Sequence, residues 1–243
     1  MSRRGQWVLA VAALMAAAGT PAQSGLRDID GGAIGAAPPP PWHWRGLPQQ
    51  KEPMTRFDTV MLDARPALRV VADASYGNLV HELPPGAPGR WLSWRWRVDE
   101  ANARADLRTR DGDDAALKVC VLFDLPLDAV PFAERQLLRL ARARSGEDLP
   151  AATLCYVWDP HLPAGTLLEN AHSRRVRWWV LRGTGSAGAT WYSERRDVQA
   201  DFLRAFGDET RTAAPLQAIA VGADADNTKG RSLGYLAGLR LEP

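Results

Sequence analysis

The strongest pattern along the chain is an alternation of apolar and polar residues. In the segment 91–98, the side chains of Leu92, Trp94, Trp96 and Val98 fall on one face and polar side chains on the other. A period of two indicates an antiparallel strand with one buried face. Similar short runs are separated by turn-rich pieces and predict further strands. These runs are residues 67–74, 78–83, 117–123, 153–158, 174–181, 190–196, 216–221 and 233–241.

Two segments have apolar residues at helical spacing, and each predicts a short helix packed on the strands. The first is 132–143, and the second is 198–206, which stops at Gly207, a suitable residue to end a helix. The apolar positions of the first are Phe132, Ala133, Leu137, Leu140 and Ala141. Roughly nine short strands with turns between them predict a mainly all-β fold, an antiparallel two-sheet β-sandwich with two short helices.

The N-terminus has the pattern of an export signal. Arg3 and Arg4 precede an apolar stretch, 7–18, that is shorter than the roughly 20 residues needed to cross a membrane. Small residues near Ala22 predict cleavage there, so that residues 1–22 form a signal peptide. We therefore expect a periplasmic or secreted protein without a membrane span after cleavage. The alternative is that this segment stays as an uncleaved anchor.

Residues 23–50 are rich in Pro and Gly and predict an extended leader before a single sandwich domain, 51–243. Trp42 and Trp44 stand out in this leader. Because two indole side chains bury a large apolar area, we expect them to dock the leader onto the domain. A sugar-binding role for the Trp-His-Trp segment is the alternative.

Composition narrows the classes of function. The chain is 46% hydrophobic and 24% charged, which argues against a disordered chain and against a protein with many membrane spans. Removal of Arg3 and Arg4 with the signal leaves equal numbers of cationic and acidic residues. With no basic cluster, a nucleic-acid partner is not expected.

Six segments of the chain, taken in order, form a recognisable series: 92–98, 113–119, 156–158, 194–198, 201–207 and 224–228. Together they resemble the bacterial exported family known as domain of unknown function 3047 (DUF3047). The resemblance spans about residues 50 to 243 and departs from the family at Lys118, where Arg is usual. It implies a β-sandwich of the jelly-roll type, a scaffold that carbohydrate-binding modules also use, and it brings no established activity.

Two polar clusters are candidates for sites. Asp224, Asp226 and Asn227 follow an apolar strand, so three oxygen-bearing side chains stand at a sheet end and could hold a structural calcium ion. The alternatives are a turn in which these side chains cap their own backbone, or a ligand contact. Asp113 and Asp114 precede another strand. Adjacent carboxylates repel, so they need a cation or an arginine nearby.

Arg195, at the end of a further strand, is the predicted partner of Asp113 and Asp114 at a ligand-binding surface. The alternative is an Arg–Asp network that ties strand ends together. Trp178 and Trp179 are adjacent in a strand and point to opposite faces, so we expect one of them to be exposed. That residue and Trp191 are the candidates for stacking on a sugar, and the alternative for each is a place in the core.

Cys120 and Cys155 lie in separate predicted strands of an exported protein, so they form a candidate disulfide, with two buried thiols as the alternative. The four histidines share no metal-type spacing, which argues against zinc. Residues 183–188 match the Gly-x-Gly-x-x-Gly fingerprint, but a strand follows where nucleotide binding needs a helix, so we interpret them as a hairpin loop.

These observations favour a non-enzymatic binding or envelope-associated module with a glycan-like ligand and no cofactor beyond the candidate calcium. The alternative is a polysaccharide-acting enzyme, a lyase or glycoside hydrolase. It would use Asp113 or Asp114 together with Arg195, Glu194 or His81. A purely structural partner in a complex is the third hypothesis.

Overall fold

A computed structural model describes residues 25–243 of the protein. The predicted signal peptide, 1–22, lies outside the described residues. Twelve strands and two helices occur in the described part. The strands are β1 His43–Arg45, β2 Arg56–Leu62, β3 Arg65–Asp73, β4 Tyr76–Glu82, β5 Trp91–Glu100, β6 Leu117–Phe123, β7 Ala152–Trp158, β8 Leu167–Glu169, β9 Val176–Arg182, β10 Tyr192–Asp197, β11 Leu216–Asp224 and β12 Arg231–Glu242; the helices are α1 Phe132–Ser145 and α2 Val198–Phe206.

The strands form two sheets. One has seven strands in the order β1-β4-β11-β6-β7-β9-β8, and the other has five in the order β10-β5-β12-β3-β2. The predicted all-β, jelly-roll-like sandwich is thereby confirmed. One detail of the prediction is wrong: β7 and β9 pair in parallel, whereas the other paired strands are antiparallel. Parallel pairing needs a long crossover, and residues 159–175, including β8, provide it.

The core lies between the sheets and is filled by alternate side chains. In β5, Leu92, Trp94, Trp96 and Val98 are buried, as the alternation predicts, and the intervening residues are only partly covered. Trp94 packs against Tyr156 of the opposite sheet with ring centroids 5.4 Å apart. Large aromatic side chains thus connect the two layers and supply much of the buried apolar area.

Three short or polar strands, β1, β2 and β8, were not predicted. Two of them have only three residues each, and β2 lies at the edge of its sheet, where one side has no neighbouring strand. Strand β1 belongs to the predicted leader and pairs with β4, and the indole of Trp42 is buried with its Nε1 donating to the carbonyl of Arg27 at 2.9 Å. The leader is therefore packed onto the sandwich from residue 25 onwards.

Helix α2 begins and ends where the sequence predicts. Asp197 accepts a hydrogen bond from the Ala200 amide at 3.0 Å, which satisfies an amide that the helix start leaves open. The side chains of Val198, Phe202 and Phe206 are buried against the core. The spacing of apolar residues in this segment therefore corresponds to its packed face.

Helix α1 differs from the prediction in its orientation. Leu138 is its one buried residue, whereas Phe132, Leu137 and Leu140 are exposed. The helix therefore contacts the sandwich by another face than its apolar pattern suggests. The contacts are tertiary: Leu138 is buried and Glu134 forms an ion pair with Arg175 (3.7 Å), so the side of α1 with these two residues faces the body of the protein.

The interpretation of 183–188 as a hairpin loop is wrong. This segment joins β9 of the seven-stranded sheet to β10 of the five-stranded sheet, so it crosses between layers. A strand follows it, as expected.

Within residues 25–243, none of the helices is long and apolar enough to cross a membrane.

Candidate ligand-binding site

A cavity of about 520 Å³ opens on the outer face of the seven-stranded sheet, on the side opposite the core. Strand periodicity explains how one strand serves both faces. In β6, Val119 and Val121 enter the core, while Lys118 and Cys120 line the cavity. The segments 45–48 and 147–150 form walls that combine apolar side chains with the charged Arg45 and Glu147. Further polar groups lie near the ends of β4, β6 and β11.

A buried ion pair forms part of the polar lining. Lys118 Nζ lies 2.7 Å from Asp224 Oδ2, and both side chains are nearly inaccessible to water. The other oxygen of Asp224 accepts a hydrogen bond from the Ala115 amide at 2.6 Å. Burial disfavours the ammonium ion, but Asp224 and Tyr76 more than offset this cost and raise the pKa of Lys118 above its ordinary value. Lys118 therefore stays charged inside the fold.

Aromatic rings enclose the same ammonium group. It lies 5.0 Å from the ring centroid of Tyr76 and 5.7 Å from that of Trp178. Both distances are within the range of cation–π attraction. The charge of Lys118 is thus surrounded by one carboxylate and two ring faces, which fixes its position at the cavity.

Asp113 lies in the same lining and is held by two donors. Its Oδ1 accepts from the indole Nε1 of Trp178 at 3.1 Å, and its Oδ2 accepts from Asn170 Nδ2 at 2.6 Å. His172 Nε2 is 3.8 Å from Oδ2. Burial, followed by the nearby charge of Asp224, raises the pKa of Asp113 to about 6. This carboxyl group therefore titrates close to neutral pH.

Asp226 differs from its neighbours because one of its oxygens lacks a partner. Its Oδ1 is buried and accepts no hydrogen bond within the described chain. Burial and the charges of Asp224 and Asp114 raise the pKa of Asp226 to about 6. A buried acceptor without a donor costs free energy, so a donor supplied by a ligand would stabilise this group.

Asp114 joins two loops and does not line the cavity. Its Oδ2 accepts from the backbone and hydroxyl of Thr228 at 2.9 and 2.6 Å, and its Oδ1 accepts from the Asn227 amide at 3.1 Å. The side chain of Asn227 donates to the carbonyl oxygen of Asp113 at 3.0 Å. These contacts hold the loop after β11 against the loop before β6, and so position Asp113 and Asp226.

Two of the three predicted calcium ligands are engaged in other contacts. Asp224 binds Lys118 and the Ala115 amide, and the amide of Asn227 faces a carbonyl oxygen. Among residues 25–243, no group of three or more His, Cys, Asp or Glu side chains is arranged to hold a metal ion. The calcium site stays a prediction, and the lysine supplies the positive charge beside Asp224.

Of the two adjacent tryptophans, neither is exposed, so that expectation is wrong: each retains 4% of its accessible surface. They do point to opposite faces, as predicted. Trp179 enters the core, where the guanidinium of Arg196 lies 4.5 Å from its ring centroid. Trp178 lies on the cavity face, where its Nε1 donates to Asp113 and the ammonium group of Lys118 lies near its ring. These tertiary contacts accompany its burial.

Trp191 and Arg195 lie elsewhere in the molecule. Arg195 belongs to β10 of the five-stranded sheet, where its guanidinium lies 3.9 Å from the ring centroid of Trp91. Trp191 precedes the same strand and donates from Nε1 to Asp63 at 2.8 Å. The predicted pairing of Arg195 with Asp113 and Asp114 is therefore wrong, because Arg195 lies in a strand of the five-stranded sheet, whereas the two aspartates lie in the loop before β6 of the other sheet.

The other residues of the enzymatic alternative have structural partners. Glu194 accepts hydrogen bonds from the indole of Trp96 at 3.0 Å and from Arg182 at 2.6 Å. His81 is buried, with Nδ1 bonded to the Glu82 carbonyl oxygen at 2.7 Å and Nε2 accepting from the Arg27 amide at 3.1 Å. Neither lines the cavity, so the predicted constellation of Asp113 with these groups does not form.

A disulfide joins Cys120 and Cys155 on the cavity face of the sheet. The two residues are directly opposite in the antiparallel pair β6–β7. The register of the strands therefore decides this pairing. The bond forms part of the apolar lining and connects the two central strands below the cavity.

Four lining residues were missed as candidates: Lys118, Tyr76, Asn170 and His172. Lys118 carried a signal, because a charged residue inside an apolar strand must have a buried partner. Asn170 and His172 belong to the connection between β8 and β9, where no periodicity marks them. Only the folded loop brings them to Asp113.

The protein is thus a two-sheet β-sandwich with a cavity on the outer face of its seven-stranded sheet, and the lining of this cavity includes a group of charged and polar side chains. It belongs to the family described as "Protein of unknown function (DUF3047)", whose model matches residues 40–240. The resemblance noted in the sequence is thereby confirmed. No curated protein matches the chain.

Three solved structures match the chain at low sequence identity and with TM-scores of 0.39 to 0.40. The K2 cleaved adhesin domain of Lys-gingipain has a TM-score of 0.39 at 8% identity, covering 89% of this chain and 98% of that one. The endo-1,4-beta-glucanase CelB2 has a TM-score of 0.40 at 13% identity, covering 82% and 93%. A family 12 xyloglucanase from Bacillus licheniformis has a TM-score of 0.39 at 8% identity, covering 82% and 99%.

Proposed function

We propose that this protein is a non-enzymatic binding protein of the cell envelope and that it takes a glycan-like ligand into the cavity on its seven-stranded sheet. The observation that carries the proposal is the unsatisfied oxygen of Asp226 beside Asp113 and Asn170 in one lining. Sugars present many hydroxyl donors at fixed spacing, and carboxylate and amide groups are suited to receive them. The apolar side chains of the walls match the C–H faces of a sugar ring.

The size of the cavity fits this ligand class. About 520 Å³ lies within the range of ordinary small-molecule sites and accommodates one or two sugar rings. The lining contains two cationic side chains, Arg45 and Lys118, and more acidic ones, so it disfavours an anionic ligand. The acidic side chains can accept hydrogen bonds from the hydroxyl groups of a polyhydroxylated ligand.

An extracytoplasmic location is part of the proposal. It is supported by the signal pattern at residues 1–22 and by the disulfide between Cys120 and Cys155, a bond that persists in oxidising compartments. Fractionation of cells that express the full chain tests it. We expect a protein shortened near Ala22 in the periplasm or medium, and retention of the full-length form in the cytoplasm would contradict it.

The binding proposal is tested by retention on peptidoglycan and exopolysaccharides, followed by calorimetric titration with soluble fragments of any that bind. We expect Asp226→Asn to weaken binding about tenfold, because a charged acceptor is lost. Asp128→Asn, at an exposed position outside the cavity, is the matched control and should bind as the wild type does. No retention on any of these polymers, or equal binding by Asp226→Asn, would contradict the proposal.

A second candidate function is glycoside hydrolysis in the same cavity. One observation favours it: Asp113 and Asp226 line the same cavity, and burial raises the pKa of each to about 6, which suits proton transfer near neutral pH. In such a reaction, one protonated carboxyl gives its proton to the leaving oxygen. The other, as a carboxylate, removes a proton from the water that attacks the anomeric carbon.

Release of new reducing ends from the polysaccharides that bind distinguishes hydrolysis from binding alone. If the cavity is catalytic, Asp113→Asn and Asp226→Asn should each lower the rate by about a hundredfold or more. The protein with Asp128→Asn should keep full activity. Binding without release of reducing ends would exclude this second candidate and leave the first intact.

A further inference from the structure

Helix α1 carries apolar side chains on its solvent side. Phe132 is 70% exposed, Leu137 61% and Leu140 47%, which are among the highest values of any large apolar residue described. Single exposed leucines are normal on protein surfaces, but three on one helix form a patch. Exposed apolar side chains that lie together on a helix usually contact another surface.

The body of the protein cannot cover this patch, because the opposite side of α1 is attached to it. Leu138 is buried, and Glu134 forms an ion pair with Arg175 at 3.7 Å. Arg142 donates from Nε to the carbonyl oxygen of Leu149 at 2.9 Å. These contacts keep the helix from turning its apolar side inwards.

The charges of α1 are strongly asymmetric. The helix has four arginines and a single acidic residue, Glu134, which faces the body. Arg139 and Arg144 are exposed, and neither makes an ion pair or side-chain hydrogen bond within residues 25–243. The exposed side of α1 therefore combines apolar residues with cations that have no acidic partner in the described part of the chain.

We propose that α1 is a docking surface for an anionic lipid bilayer. In this arrangement the helix lies parallel to the membrane, with Phe132, Leu137 and Leu140 among the lipid headgroups and first acyl carbons. Arg139 and Arg144 then meet the lipid phosphates. Amphipathic helices of this composition bind interfaces through buried apolar area plus attraction to anionic lipids.

Charge complementarity favours an anionic bilayer as the partner of this surface. A bilayer surface is flat and offers phosphate groups around an apolar layer, so it can satisfy apolar and cationic side chains of a protruding helix together. A second copy of α1 would place its own arginines against those of the first, which is unfavourable. The bilayer therefore matches both features of the exposed side.

Sedimentation with large vesicles tests the proposal. The protein starts at Gln23, because the apolar segment 7–18 would bind lipid itself, and this form contains every described element. Vesicles of phosphatidylcholine mixed equally with phosphatidylglycerol are compared with phosphatidylcholine alone. We expect the wild type to bind the anionic vesicles. Leu137→Gln/Leu140→Gln should lower partitioning onto these vesicles about tenfold or more. Arg139→Gln/Arg144→Gln should lower it by less, and added salt should weaken binding of the wild type to a similar extent.

Matched controls separate the surface from general effects. Leu203→Gln changes a leucine of α2 that is 36% exposed, and Arg65→Gln/Arg211→Gln removes two exposed arginines elsewhere. Both should partition as the wild type does. Circular dichroism and the melting temperature check that each variant is folded. Because the changed side chains are exposed, we expect the spectrum and the melting temperature of each variant to match those of the wild type.

Three results would overturn the proposal. They are an absence of binding to anionic vesicles, equal binding to both kinds of vesicle, and unchanged binding by the folded Leu137→Gln/Leu140→Gln variant. A dimer in light scattering that this variant dissociates, without lipid binding, would instead assign the surface to a second copy of the chain.

Discussion

Lys118 Nζ and Asp224 Oδ2 are 2.7 Å apart on adjacent strands, β6 and β11, and both side chains are almost completely buried. They lie 106 positions apart in the chain. The pair neutralises two charges that the outer face of the sheet could not otherwise bury. Because Asp224 also holds the Ala115 amide, the ion pair positions the loop that carries Asp113.

Removal of one partner should destabilise the protein strongly. We predict that Lys118→Met lowers the free energy of unfolding by about 3–5 kcal/mol, because the Asp224 carboxylate is left buried without its cation. The double variant Lys118→Met/Asp224→Asn should recover part of this loss, since it removes both charges and keeps an acceptor for Ala115. Urea unfolding measures both, and a double variant less stable than Lys118→Met would contradict the argument.

The stability of the wild type should depend on pH through Asp226. Its pKa is about 6 in the folded protein and near the ordinary 3.8 in the unfolded chain. The folded state therefore holds the proton more tightly, and stability falls as pH rises through this interval. Asp226→Asn should gain roughly 1–2 kcal/mol relative to wild type between about pH 4 and pH 7, after a discount for partial exposure.

Urea unfolding of both proteins across this pH range checks the prediction. The difference between them should grow from about pH 4 and level off above about pH 6. Asp128→Asn serves as the control and should show no pH-dependent difference from wild type. A constant difference between Asp226→Asn and wild type would show that Asp226 has an ordinary pKa.

The disulfide should contribute strongly to stability. Cys120 and Cys155 are 35 positions apart, and closing a loop of this length restricts the unfolded chain. We predict that Cys120→Ala/Cys155→Ala loses about 3–4 kcal/mol, less any gain from new packing. Unfolding of the wild type with and without a reductant gives the same comparison. Equal stability of oxidised and reduced protein would be inconsistent with this prediction.

Removal of divalent cations should leave the melting temperature unchanged. Lys118 already supplies a positive charge to Asp224, and the amide of Asn227 is bonded to a carbonyl oxygen. A bound ion would stabilise the folded state according to its concentration and affinity. Melting curves recorded with calcium and with a chelator test whether a divalent cation stabilises the folded protein. A lower melting temperature with the chelator would support the calcium site predicted from the sequence.

Local features of the fold could be predicted because each depends on a few neighbouring residues. The alternation in β5 places Leu92, Trp94, Trp96 and Val98 in the core whatever the rest of the chain does. Gly207 marks the end of α2 in the same way. Such short-range patterns establish the strands, the helices and the sandwich class.

The sequence by itself thus determined the class of fold, most of the strands and the two cysteines able to meet. Tertiary structure decided which polar groups share a site: Lys118 with Asp224, Asp113 with Asn170, and Arg195 on the other sheet. It also decided which side of α1 faces solvent. The physical reason is range, because alternation acts between neighbours, whereas strand order and loop packing bring together residues that are distant along the chain and that carry no mark of their partners.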